Sequence, residues 1–130
     1  MIEAALLEIL GSSAPLTAVV STRIFLEILP ERTTLPAVVY RVLITEHEDC
    51  QDGRSLLATS RVELEVFGST GLAARDMAEL VRQALHGFTG TVGGRKIHAV
   101  IDWSSSELFE DEEDIWDATC QCSIWHDVPA

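Results

Sequence analysis

Apolar and polar residues alternate most regularly from Arg61 to Phe67, where Val62, Leu64 and Val66 face one way and Arg61, Glu63 and Glu65 the other. A period of two with one charged side predicts a half-solvated antiparallel strand, over about Leu57 to Phe67. The period then lengthens. Between Gly71 and Leu85, Ala73, Met77, Leu80, Val81, Ala84 and Leu85, with Phe88 beyond them, fall on one side of a helix. Arg75, Asp76, Glu79, Arg82, Gln83 and His86 fall on the other. Thr70 is placed to cap the start of this helix and Gly87 its end. A helix of this length buries its stripe by lying across a sheet. The pair Gly93-Gly94 turns the chain into a second strand, in which Ile97, Ala99, Ile101 and Trp103 are expected on one face. In the last strand, Ile115 to Trp125, the apolar Trp116, Ala118, Cys120, Cys122 and Ile124 alternate with Asp117, Thr119, Gln121 and Ser123. Trp125 breaks that polar face.

The first half supplies the remaining elements. Ile2, Ala5, Leu6, Ile9 and Leu10 recur at helical spacing up to Gly11. Ser12-Ser13 and Pro15 then start a second short helix through about Val20. Ile24 to Leu35 is apolar but irregular, and Pro30 and Pro36 exclude a long helix. Ala37 to Thr45 is β-branched and apolar, a strand with Pro36 at its mouth. Glu46 to Ser55 is polar, and Asp52-Gly53 marks a hairpin turn. The predicted order is α-α-β-β-α-β-β. It defines an α+β domain spanning residues 1–130, with a four-stranded, mostly antiparallel sheet and the main and N-terminal helices on one face.

Charge narrows the partners. The 130 residues carry 9 Lys and Arg against 21 Asp and Glu, a formal net charge of -12. A field of that sign repels nucleic acid phosphates, so direct DNA or RNA binding is not expected. Glu3 and Glu8 interrupt the first apolar run, which has no basic leader, so no signal peptide is predicted. No apolar run approaches the ~20 residues of a membrane span. Three cysteines, Cys50, Cys120 and Cys122, make no disulfide framework and suit a reducing cytoplasm.

Candidate chemistry is sparse. Cys120, Cys122 and His126 share a strand face, yet four residues span roughly 13 Å at ~3.3 Å each, too far for one zinc ion. Two cysteines on the core face is the simpler reading. The run Glu110, Asp111, Glu112, Glu113 and Asp114 has no glycine to aim its carboxylates at a cation, and reads first as a solvated loop. His47, His98 and Asp102 make no acid–base constellation, and no serine sits in a nucleophile elbow. Gly90 to Gly94 runs from helix into strand and so is no phosphate loop. The expectation is a non-enzyme without metal or cofactor. Trp125 differs, because tryptophan on an otherwise polar face is enriched at subunit contacts.

Taken in order, several runs resemble the tail completion proteins of long-tailed bacteriophages, the tail terminators or tail-to-head joining proteins. They are Met1 to Leu6, Arg23-Ile24-Phe25, Leu35 to Tyr40, Val62 to Phe67, Ala73 to Leu85 with Gly87-Phe88, Gly90 to Gly94, and Asp114-Ile115-Trp116 with the strand to Trp125-His126. Ser21 stands where such proteins often carry a turn glycine. The resemblance implies a structural virion protein at the head–tail junction, assembled in the host cytoplasm. It implies a homohexameric ring that caps the major tail tube protein, meets the head-completion or connector protein, and lets DNA through without specific binding. No catalytic residue follows from it. Within that reading, Trp125 and the strand bearing Val38 and Tyr40 are the expected subunit contacts. Glu110 to Asp114 are the expected negative lining of the DNA path. The competing expectations are a small-molecule-binding or regulatory α+β domain and a metal-dependent hydrolase.

Overall fold

The computed structural model describes residues 2–50, 53–106, 109–110 and 115–128, with the side chains of all of these except 48–50, 53–56 and 109–110. Helices α1 (Ile2–Gly11) and α2 (Ala14–Val20) lead into β1 (Ile24–Leu26), β2 (Ala37–Cys50) and β3 (Gly53–Gly68). Then come α3 (Gly71–Leu85), β4 (Gly90–Val92), β5 (Arg95–Ser105), β6 (Phe109–Glu110) and β7 (Trp116–Asp127). All seven strands form one sheet in the order β1-β2-β3-β7-β5-β4, with β6 beside β7. β1 runs parallel to β2, and the other pairs are antiparallel.

The sheet is therefore seven-stranded and mixed, not the four-stranded, mostly antiparallel sheet expected. Its four long strands are those the alternation predicts. β1, β4 and β6 have two or three residues each, too few to display a period. The hairpin is also longer than expected. β2 and β3 continue through the polar stretch, pairing Asp49 with Arg54 and Cys50 with Gly53. Glu46 to Ser55 is polar throughout and shows no alternation, so the pattern could not report it. Asp52 of the expected turn lies outside the described residues.

α3 crosses β3 and β7. Its buried residues Met77, Val81 and Leu85 meet Val62, Leu64 and Val66 of β3 and Cys120, Cys122 and Ile124 of β7. Leu6, Leu10 and Leu16 from α1 and α2 complete this layer, and each such side chain contributes about 1.5–3 kcal/mol by burial. Ala74, not Ala73, is the buried residue of the first turn. The cause is Gly68, where an added Cβ would stand 2.8 Å from the Ala74 backbone nitrogen. Only glycine allows β3 to end so close to the helix. Thr70 Oγ1 accepts a 3.0 Å bond from the Ala73 N–H, the expected cap. The helix closes at His86, and Gly87 follows with φ +80°.

Bulges reset the faces. β5 shifts register between Ile97 and Ala99 and again between Ile101 and Ser104. Ile97 and Val100 are buried under the helices, whereas Ile101 is exposed on the opposite side. Ile97 and Ile101 thus do not share the face their spacing suggests. β2 shifts between Val42 and Ile44. One row of the sheet consequently runs Ile44, Arg61, Ser123, Ile101, with a bulge beside it on both β2 and β5. Short strands protect only part of each edge: β1 pairs Val38 to Tyr40, and β4 pairs Arg95 to Ile97.

Candidate assembly surfaces

Side chains at odd-numbered positions of β3 and β7 point away from the helices, and most of them satisfy one another. Arg41 donates to Glu63 at 2.5 Å, to Glu65 at 3.5 Å and to the Glu27 carbonyl at 3.0 Å. Gln121 donates to Glu63 at 3.4 Å, while Arg61 donates to Gln121 at 3.4 Å and to Ser123 at 3.0 Å. This net ties β2, β3 and β7 together. At its margin, burial first and then a hydrogen bond with Asp117 push Glu65 up to about 7, against the lowering influence of Arg41. The arginines of this part of the face are already engaged with Glu63, Glu65, Gln121 and Ser123.

Trp125 occupies the neighbouring row, flanked by Thr59 on β3 and Ala99 on β5. It is half-buried. On the adjoining row Ile44 and Ile101 are 52% and 42% exposed, and Leu43 at the β2 bulge is 47% exposed. Thr59 Oγ1 is buried there without a partner among the described residues. Exposed apolar groups gathered on one end of a face, beside a self-satisfied polar net, have the makeup of a contact surface.

The other expected contact residues sit differently. Val38 and Tyr40 point into the core and are buried. Both edges of β2 are paired at these positions, by β1 and by β3, so the open edge of this strand begins at Arg41. Burial, with a smaller effect of Glu3, raises the Tyr40 hydroxyl. Of the acidic run, Glu110 lies on β6 opposite Trp116. Asp111, Glu112, Glu113 and Asp114 lie outside the described residues.

A third surface is a groove of about 720 Å³ between α3 and the β5–β7 side of the sheet. Its walls include Arg75, Ala78 and Arg82 of α3 and Trp103, Trp116 and Ala118 of the sheet. The Trp103 indole N–H is buried and has no acceptor among the described residues. Nothing in the spacing of these residues announces the groove, because α3, β5 and β7 contribute to it from segments separated by some tens of residues.

Reactive-type residues are mostly absorbed into packing. Cys120 and Cys122 are buried, and burial pushes the Cys122 thiol up to about 12 and raises Cys120 as well. A serine–histidine contact does exist, between residues whose spacing announces none. Ser60 Oγ lies 2.7 Å from His126 Nε2, with 0% and 2% of these residues exposed. His126 Nδ1 donates to the Asp127 carbonyl at 2.8 Å, so Nε2 accepts from Ser60, whose oxygen accepts from Thr45 at 2.9 Å. The chain Thr45–Ser60–His126 joins β2, β3 and β7 inside the fold, closed to any substrate. Burial lowers the His126 pKa, with Arg95 and His47 adding to that effect. His98 pairs with Asp127 at 2.6 Å, not with Asp102, which sits in the β5 bulge with φ 58°. Among the described residues no three His, Cys, Asp or Glu side chains converge as metal ligands, and no single helix is long and apolar enough to cross a membrane.

Helices cover one face of the mixed sheet, a polar net and an apolar patch occupy the other, and a groove runs between α3 and the sheet. The chain belongs to the tail completion protein gp17 family, whose model matches residues 4–127, and it is a structural protein of a phage tail. Its fold is similar to that of a chain from the virion of a native gene transfer agent particle, with a TM-score of 0.68, 16% identity, and coverage of 95% of this chain and 92% of that one. A second solved structure is similar with a TM-score of 0.58 at 17% identity, covering 99% of this chain and 94% of the other. No curated protein matches the sequence.

Proposed function

We propose that this chain terminates a phage tail: identical copies join head to tail into a closed ring, of six subunits, on the end of the tail tube. The ring stops tube growth and offers the head connector a docking face. The observation that carries this reading is the family match across residues 4–127, supported by the likeness to a chain of a phage-like virion. Head-to-tail contacts join two different surfaces of one subunit and close when the rotation between neighbours divides a full turn. Trp125, with Ile44 and Ile101 beside it, supplies one anchor for such a contact. Val38 and Tyr40 act through the position of the β2 edge that leaves them, from Arg41 onward. The reaction is mechanical, with no catalytic step.

DNA leaving a head passes through such a ring. Duplex DNA carries one charge per ~1.7 Å, so an acidic lining lets it slide where a basic one would hold it. Glu110 to Asp114 are proposed for that lining. Light scattering over a concentration series, with and without tube protein, tests the ring; a strict monomer in both overturns it. Changing Asp111, Glu112 and Glu113 to lysine should leave assembly intact and slow DNA ejection, and normal ejection would remove these residues from the channel.

A further inference from the structure

A head-to-tail contact needs two different surfaces of one subunit. Between copies that each carry a net charge of -12, neither surface can set acids against acids. One such surface is the patch of Ile44, Ile101 and Trp125 on the open face of the sheet. The charges beside it are Arg61, held by Ser123 and Gln121, with Glu46 on β2 and Asp102 in the β5 bulge. Its counterpart must be apolar, close to neutral, and beyond the reach of the same subunit's Trp125.

A hollow of about 560 Å³ at the junction of α1, α2 and β1 meets all three conditions. Leu7, Gly11, Thr17, Ser21, Thr22 and Ile24 line it, and none is charged. Leu7 is 45% exposed there, and a Cβ added at Gly11 would meet nothing within 4 Å. The bordering charges are one acid, Glu3, a helical turn before Leu7, and one base, Arg23, held by the Pro36 and Val19 carbonyls. Glu8 turns away toward Gly93. The hollow belongs to the helix side of the sheet and Trp125 to the other side, so no subunit can fill its own. Hydrogen bonding fits as well. Thr17 Oγ1 donates to the Ser13 carbonyl at 3.0 Å, but among the described residues the Ser21 and Thr22 hydroxyls make no bond. Neither does the Trp125 indole N–H. An aromatic ring with one unused donor matches an apolar hollow with two unused acceptors, and about 300–1,000 Å³ is the size range of cavities that hold such groups.

We infer that the hollow between α1, α2 and β1 receives Trp125 from a second copy of this chain, with Ile44 and Ile101 packing beside it. The inference rests on the head-to-tail reading above and names the second half of that contact. Each subunit gives its indole to one neighbour and takes an indole from the other.

The full chain, with tube protein where assembly needs it, tests this. Gly11→Glu puts a carboxylate into the hollow at a position with room for a side chain. It should weaken self-association about tenfold while the subunit's thermal midpoint stays within a few degrees of wild type. Thr22→Glu, at an exposed turn position, should act alike. Added to Trp125→Ala, Gly11→Glu should cost less than about threefold more, because both changes remove one contact. In a Cys50→Ser background, Thr22→Cys mixed with Ile44→Cys should give disulfide-linked pairs under mild oxidation, in preference to pairs within either variant. Independent, additive losses overturn the docking and leave the ring standing, and so does Ile44→Cys that links chiefly to itself. Normal self-association of Gly11→Glu with lost binding to tube protein overturns it too, since the hollow would then hold that partner. A wild type that stays monomeric throughout overturns both this inference and the ring.

Discussion

The two faces of the β3–β7 pair are built from the same strands, one residue out of step, and they do opposite work. Val62, Leu64, Val66, Cys120, Cys122 and Ile124 are all buried beneath the helices. Their neighbours Arg61, Glu63, Glu65, Gln121 and Ser123 are half-buried and bonded to one another or to β2. The covered face secures the fold by dry packing. The open face secures strand register with polar bonds and keeps its apolar groups, Ile44, Trp125 and Ile101, together at one end. A single strand period thus separates what stabilises a subunit from what it shows to others.

Breaking this comparison starts on the covered side. Leu64→Ala should cost about 2–5 kcal/mol of unfolding free energy by denaturant titration, because a buried leucine leaves a cavity. Glu63→Ala, one residue away, should cost no more than about 1 kcal/mol, as expected for a partly exposed ion pair. Equal losses would mean that the open face is as much a part of the core as the covered one. The next effect belongs to assembly. Trp125→Ala should weaken association by more than ~1 kcal/mol while leaving the thermal midpoint of the subunit within a few degrees of wild type. A large drop in the midpoint with unchanged association would make Trp125 a packing residue.

Acid and base separate the faces further. Glu65 titrates near 7 instead of 4.5, so the fold holds its proton more tightly than the unfolded chain does. Its contribution is complete below 4.5 and is lost as pH rises through about 7. His126, lowered from 6.5, works in the other direction: its contribution is present above 6.5 and disappears as pH falls through its folded-state value. Glu65→Gln should abolish the decline on the alkaline side of this window, and His126→Gln the decline on the acid side. Midpoints that keep the wild-type pH dependence in both variants would refute the assignment. Smallest of all is Ser21→Gly. Ser21 has φ 55°, a region that favours glycine, and the change should stabilise the chain by about 0.5–1 kcal/mol.

Much of the covered face was legible before any coordinates. Every buried position of β7 from Ala118 to Ile124 follows from alternation, and the N-cap of α3 follows from Thr70, whereas its C-cap is His86, one residue before the expected Gly87. Errors arose where a backbone event reset the count. A bulge in β5 moved Ile101 to the open face, and the tight approach at Gly68 drew Ala74 inward. Strands of two or three residues were invisible because periodicity needs length. The polar net and the groove were invisible for another reason: Arg41 meets Glu63, and Arg75 and Trp103 come to line one groove, only through the sheet's register and the way α3 crosses it. Trp125 stood out because a local rule failed at one residue, a kind of signal a single sequence can carry.

The paired bulges have one more consequence, and it concerns time. A long bare strand recruits other strands indiscriminately, and on the terminator reading proposed above a subunit waiting for a growing tail to reach full length must not polymerise in the meantime. Here the row Ile44–Arg61–Ser123–Ile101 ends in irregular backbone on both sides, while β1 and β4 shield three further residues of each edge. A strand laid along either margin meets a register break within a few residues, at Val42/Ile44 and His47/Asp49 on β2 and at Ile97/Ala99 and Ile101/Ser104 on β5. On that reading the subunit is kept dormant, and its association is left to side-chain contacts that a matching surface must complete. Dormancy of that sort converts a concentration-driven event into one triggered by an encounter.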